Sequence, residues 1–386
     1  MLADRKWIKR NLGYDLATKP LPTAAYTFAK AAHADATIED IEREIIDFDS
    51  EAPSGREFLA FTTATGLSRF EEIPGPSGLA PKTGSAPIGG VESALPKADV
   101  LVVTWTVDEG HALSRVLTPG KDSRNDYVPY THNFSTIAKK MRVGCPAKNS
   151  KRLGTYWTTS IAGKKVVVFK SDSHLSQDIK TFPQTGTLPN YDVWKQIIEE
   201  VSPKLVLTTG TAGGIGTDCE VGDVVVNPIV RYDATKWLKK APFHDAVYRS
   251  TLPITTHFAT ATKLFKPNAD QLPTDNTRAP KIFLSKAPVT SVVTTDFFGF
   301  DISNNFYKLQ GLGHVCEMGD AVLGQVASEM PSPPRWVAVR NVSDPQIKAE
   351  GTLRDQAKLA AQIYKGFGRW SSVCSAIVCW ALIAAE

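Results

Sequence analysis

Residues 204–226, KLVLTTGTAGGIGTDCEVGDVVV, decide how the chain is read. Leu205, Val206 and Leu207 form a short apolar run of the kind that fills the middle of a parallel sheet. Gly210, Gly213, Gly214 and Gly216 then fall within seven residues, and Val224, Val225 and Val226 begin another strand. The pattern predicts a buried strand, a Gly-rich turn and a second strand. Glycine removes side chains and permits positive φ, so a ligand can approach such backbone closely. Thr209 and Thr211 place hydroxyls beside the bare amides. Glycine clusters are equally common at plain turns, so this stretch alone does not choose between a turn and a ligand loop.

Upstream, Val100 to Trp105 reads as a buried strand with Asp108-Glu109 just past its carboxyl end, and a helical pattern starts near Ala112. Residues 118–163 are polar and aromatic with no clear period. Lys165 to Phe169 is a strand, followed by Lys170-Ser-Asp-Ser-His174. Asp192 to Val201 reads as a helix with Val193, Ile197 and Val201 on one face. Strand, helix, strand in that order implies a right-handed crossover and a largely parallel sheet.

Downstream, residues 231–285 contain five prolines and a predicted helix near 255–265. Residues 287–294 return to strand character and lead to Thr295-Asp-Phe-Phe298. Gly313 to Met318 is a short strand running into a helix over Asp320 to Glu329. Arg335 to Arg340 is a strand ending at Asn341-Val-Ser-Asp344-Pro345. Two helices finish the chain, about 352–366 and 370–384. The apolar run Val373 to Ala385 is too short to span a bilayer and reads as part of a core-packed helix.

The first 97 residues differ in texture. Thr37-Ile-Glu-Asp40 opens a helical pattern, and residues 73–97 are rich in Pro, Gly and Ser, as a linker or extended arm would be. The expected division is an N-terminal extension and linker over 1–97 and a catalytic domain over 98–386.

With 386 residues, 42% hydrophobic and 22% charged, the composition is that of an ordinary globular protein with room for a large core. A net charge of +4, with no long basic run, argues against a nucleic-acid partner. Five cysteines without a C-x-x-C pair suggest neither a disulfide framework nor a zinc site. The N-terminus lacks the apolar core of a signal peptide. A cytoplasmic protein with no metal, no cofactor and no membrane partner is expected.

Several strands hand over to polar or aromatic residues at their carboxyl ends: Glu109, Thr209 to Gly214, Phe298, Glu317-Met318 and Asp344. In an open α/β sheet that edge is where ligands bind. Each has a bland alternative: a helix-start acid for Glu109, core for Phe298, gap-filling for Met318 and a turn for Asp344.

Taken in order, Thr209-Gly-Thr-Ala-Gly-Gly214 with Val221-Gly-Asp-Val-Val225, Glu317-Met318 and Val339-Arg-Asn-Val-Ser-Asp344 resemble the nucleoside phosphorylase/nucleosidase superfamily. The methylthioadenosine/S-adenosylhomocysteine nucleosidase branch is the most similar. The resemblance covers roughly residues 98–385. It implies an α/β fold, a three-layer α/β/α domain around a mixed, largely parallel central sheet. It also implies a small-molecule purine nucleoside or nucleotide as substrate, and a homo-oligomer. By the same resemblance Asp344 protonates the base, Glu109 activates water, Phe298 stacks on the purine, and Met318 packs against the sugar. The backbone at Thr211, Ala212 and Gly213, with Glu317 and Ser343, completes the substrate-binding set.

Two departures stand out. The family places a glutamate directly after the Met to grip the ribose hydroxyls; here that position is Gly319. Asp320 follows one residue later, rotated by roughly 100° on a helix. The phosphorylases place a phosphate-binding Arg where this chain has Thr208, which favours water over phosphate, although Lys170 and His174 offer alternative donors. A phosphate-dependent phosphorylase and a non-catalytic nucleoside-binding sensor remain the alternatives. A dinucleotide-binding oxidoreductase is disfavoured, because the glycine spacing is not G-x-G-x-x-G.

Overall fold

The computed structural model describes residues 78–85, 92–175, 187–238, 241–253, 259, 278–284 and 291–386. The helix expected from Thr37, all of that expected near 255–265 except residue 259, and residues 73–77 and 86–91 of the linker lie outside the described residues.

Thirteen strands among the described residues form one mixed sheet. They are β1 (Lys82–Thr83), β2 (Val100–Thr104), β3 (Val128–Tyr130), β4 (Gly154–Ile161), β5 (Lys164–Ser171), β6 (Leu205–Gly214) and β7 (Val224–Asn227). There follow β8 (Ile229–Tyr232), β9 (Val247–Arg249), β10 (Ile282–Leu284), β11 (Ser291–Thr294), β12 (Gly313–Glu317) and β13 (Arg335–Asp344). The helices are α1 (Val107–Leu117), α2 (Phe134–Ile137), α3 (Pro146–Ser150), α4 (Pro189–Val201), α5 (Asp320–Glu329) and α6 (Leu353–Ala385).

The centre is parallel: β5, β2, β6 and β13 run side by side in one direction. Period-two alternation sorts their side chains. Val100, Val102, Val166, Val168, Leu205, Leu207, Val337 and Val339 face α1 and α6. Leu101, Val103, Val167, Phe169, Val206 and Ala338 face α4 and α5. The three-layer α/β/α arrangement follows, with both faces of the parallel core covered.

The Gly-rich segment is not a turn. β6 continues as strand through Gly214, because β13 pairs with it from Leu205 to Gly213 and β12 joins it at Gly213 and Gly214. The chain turns only afterwards, with Gly216 at φ +79°. Extra ladder partners outweigh the low strand propensity of glycine.

Two further expectations change. Residues 154–161, read as part of an aperiodic region, form β4, the antiparallel partner of β5. A two-residue turn joins them, with Ala162 at φ +50° and Gly163 at φ +80°; the primed turn matches the twist of the strands. The two predicted terminal helices are one, α6, which runs unbroken through Gly368. A Cβ at Gly368 would lie 3.5 Å from Thr211 Cγ2, an ordinary contact, so α6 packs on β6 with room for a methyl there. The segment Phe367–Ala385 is long and apolar enough to cross a membrane by length and composition, longer than the run read from the sequence; 94% of it is buried inside the fold, so it serves as a core helix.

Candidate active site

The carboxyl ends of β2, β6, β12 and β13 converge on two buried carboxyl groups. The first is Glu109. Thr106 and Glu109 form a reciprocal capping box at the start of α1, which sets Glu109 in the first turn. The side chain is buried and folds back over the end of β2. Oε2 accepts from Thr104 Oγ1 (2.8 Å) and from the amides of Trp105 (3.1 Å) and Thr106 (2.9 Å). Oε1 accepts from the amide and the hydroxyl of Thr211, both at 2.7 Å. Burial alone would raise its pKa, but the Arg340 charge and these donors outweigh it, and Glu109 titrates below the usual range.

Glu109 also explains Gly210. The φ there is +149°, and a Cβ would stand 2.5 Å from the Glu109 carboxylate. The space opened by this glycine is occupied by the catalytic candidate itself, not left for a ligand.

The second carboxyl is Asp344, at the end of β13 beside a bulge in its pairing with β6. It is 1% exposed. Ser343 Oγ donates to Oδ1 at 2.8 Å and lies 3.3 Å from the Ala212 carbonyl. Oδ2 is buried with no hydrogen-bond partner. A Cβ at Gly213 would lie 3.1 Å from that oxygen, so the glycine keeps its approach open. Burial pushes the Asp344 pKa up to about 7, only partly countered by Ser343.

Beside Glu109 lies a buried ionic cluster built on Arg340, a residue that sequence reasoning missed. Arg340, on β13, donates through Nε to Asp320 Oδ2 (2.8 Å), through Nη2 to Asp320 Oδ1, and through Nη2 to Glu317 Oε2 (3.1 Å). Its guanidinium lies 4.6 Å from the ring centroid of Trp105. Glu317 also accepts from Thr294 Oγ1 and from the Asp320 amide at 2.9 and 3.0 Å. Gly319 offers α5 no capping side chain, so Glu317 caps that helix instead. Burial and the neighbouring Asp320 charge push Glu317 up in pKa. The signal was present in the sequence: an Arg inside an apolar strand can be buried only with carboxylate partners.

The remaining candidates divide. Ala212 is buried, and Gly213 pairs with Cys316 across β6 and β12. Phe298 is half-buried, with its ring 6.0 Å from Tyr364 and 6.1 Å from Phe300. Met318 is half-buried beside Gly319. Thr211 serves Glu109 with both its donors. Thr208 is fully buried between β2 and β13. Lys170 is engaged by Asp172, which also accepts from Arg152 Nε at 2.6 Å. Burial and the Lys170 charge push His174 down to about 4, leaving it neutral at pH 7. All five cysteines are buried, and none forms a disulfide.

Residues 129–378 match the sequence profile of the phosphorylase superfamily. The chain belongs to the phosphorylase superfamily. That membership makes it an enzyme, an N-glycosyl hydrolase or a nucleoside phosphorylase. No curated protein sequence matches the chain. Among solved structures, the chain is similar to the 5′-methylthioadenosine/S-adenosylhomocysteine nucleosidase of Neisseria meningitidis in complex with methylthio-immucillin-A. The identity is 17% and the TM-score 0.45, over 75% of this chain and 100% of that one. The corresponding nucleosidase of Colwellia psychrerythraea 34H, in complex with adenine, is 15% identical with a TM-score of 0.44, over 75% and 96% of the two chains. Futalosine hydrolase of Helicobacter pylori is 13% identical with a TM-score of 0.45, over 74% and 96%.

Within this superfamily chain the two carboxyls are chemically distinct. One is held ionised by a saturated set of donors and a nearby cation. The other is held protonated near neutral pH, with one oxygen unengaged. An ionised and a neutral carboxyl at one sheet edge supply a charge for a developing cation and a proton for a leaving group.

Proposed function

We propose that this enzyme hydrolyses the N-glycosidic bond of a purine nucleoside or nucleotide. The observation that carries the reading is Asp344 Oδ2, buried, without a partner, on a carboxyl whose pKa is pushed up to about 7. Such a group holds a proton at neutral pH and has no protein acceptor to give it to. A purine ring nitrogen is an acceptor of the right kind.

In the proposed reaction the C–N bond breaks and its electron pair moves onto the base, which takes the proton from Asp344. Positive charge grows on the sugar ring and is steadied by the Glu109 carboxylate. Water adds to the anomeric carbon, and its released proton restores Asp344 through solvent. Glu109 already accepts five hydrogen bonds, so its first contribution is its charge. To take a proton from water it must exchange one hydroxyl donor, Thr104 or Thr211, for the water. Phe298 offers an aromatic face to the base, and Met318 packs beside the sugar.

Water is favoured over phosphate because two cations near the site, Arg340 and Lys170, are already committed. Arg340 is held by Asp320 and Glu317, and Lys170 by Asp172. Phosphate binding needs charge-assisted donors that are free to reach it. The test is incubation with purine nucleosides and nucleotides, with and without phosphate, read as free base and reducing sugar. Release that is independent of phosphate supports hydrolysis, and release that requires phosphate overturns it.

A further inference from the structure

Trp105 and Gly319 pack together beside Glu109. The Trp105 amide donates to Glu109, while its ring packs on Gly319. A Cβ at position 319 would lie 3.2 and 3.3 Å from Trp105 Cζ2 and Cε2. Arg340 stacks on this ring, and Trp194 supports it with a centroid separation of 5.9 Å. At the other end, Cys316, three residues before Gly319, pairs with Gly213, which lies beside Asp344 Oδ2. The wall formed by β12, Gly319 and Trp105 thus leads from Gly213, beside Asp344, to Glu109, and the sugar of an N-glycoside bound between the two carboxyls would lie along it.

That wall holds no carboxylate open to a hydroxyl. Both oxygens of Glu317 are taken by Arg340, Thr294 and the Asp320 amide, and both oxygens of Asp320 by Arg340. Glu109 is saturated by Thr104, Thr211 and the backbone. Any side chain at position 319 would press on the Trp105 ring, so the glycine and the indole form one fitted pair. A sugar hydroxyl turned toward this wall loses water and gains no carboxylate partner.

We propose that Trp105 and Gly319 set the sugar specificity of this enzyme, so that it takes purine 2′-deoxyribosides at least as readily as ribosides. The proposal rests on the glycosidic reading above. Its magnitude is bounded, since an apolar wall rejects an added hydroxyl by at most roughly 10²-fold, whereas a site built to bond that hydroxyl rejects its absence by about 10⁴-fold or more.

The experiment uses the full chain and three matched pairs: adenosine, inosine and guanosine, each with its 2′-deoxy counterpart. Base release gives kcat/KM for the wild type, and calorimetric titration of Asp344→Asn gives Kd without turnover. The expected result is a deoxyriboside-to-riboside ratio of one or greater in both measurements. A riboside preference of tenfold or more in either overturns the proposal, as does failure of every pair to bind. If the wild type releases no base while the variant still binds deoxyribosides as tightly as ribosides or more tightly, the hydrolytic reading falls and the sugar specificity stands.

Discussion

Asp344 and Glu109 are both buried carboxyls, yet their surroundings drive them apart. Glu109 has five donors and a nearby guanidinium; Asp344 has one donor, and one oxygen with none. Burial dominates where nothing answers it. This has a thermodynamic consequence. The Asp344 pKa is raised from 3.8 to about 7 in the fold, so the folded state binds the proton more tightly than the unfolded chain. Stability from this group is present below pH 4 and is lost as pH rises to 7, by up to ~4 kcal/mol at about 1.4 kcal/mol per unit. Asp344→Asn removes that loss. Its stability relative to wild type, read by denaturant titration, is expected to increase between pH 5 and pH 7.5; a constant difference would mean Asp344 is not held neutral. Glu109→Gln removes the charge and leaves an amide facing donors. It is expected to lower kcat by about 10²–10⁴-fold, the usual range for such a group, with the rate of base release as the readout.

At the scale of elements, the strands of the parallel core, β2, β5, β6 and β13, were legible because β-branched and aliphatic runs are unambiguous when both faces are buried, whereas β4, half polar and aromatic, was not. The strand exits at Glu109, Phe298, Glu317 and Asp344 were legible for the same reason. What could not be read was what each glycine is for. Gly210 makes room for Glu109, Gly213 for access to Asp344 and Gly319 for Trp105. These are tertiary facts, and no local pattern encodes them. Local propensity likewise suggested a break near Gly366 and Gly368, where burial along α6 overrides it. Two substitutions separate these roles. Gly210→Ala drives a methyl into the Glu109 carboxylate at an unfavourable φ, and is expected to cut kcat by at least tenfold while the melting temperature falls. Gly368→Ala meets Tyr364 at 3.4 Å and Thr211 at 3.5 Å, ordinary contacts. It is expected to stabilise the chain by about 0.5–1 kcal/mol through helix propensity, seen as a higher denaturation midpoint; a loss of stability would show that the α6–β6 contact has no slack.

At the scale of the whole molecule, the fold explains why these groups meet. β6 is the one strand paired with β2, β12 and β13. It thereby gathers α1's Glu109, β12's Glu317 and β13's Asp344 along a single edge. The parallel core supplies the direction, and the antiparallel β12 crosses at Gly213 and Gly214 and leads to Gly319 on the Trp105 ring. The Arg340 cluster ties β13, β12 and α5 together, so the site is anchored in the sheet rather than on loops. Rigid placement of this kind is what electrostatic catalysis requires. The central claim is that Asp344 delivers its proton to the leaving base. The measurement that tests it most directly is the pH dependence of base release from a purine nucleoside, for wild type and Asp344→Asn. The wild-type kcat is expected to be flat below about pH 7 on its alkaline side and to fall about tenfold per pH unit above it. The variant should be folded, lower by about 10²–10⁴-fold, and without that alkaline limb. A variant that releases base at the wild-type rate with the same alkaline limb would contradict the assignment.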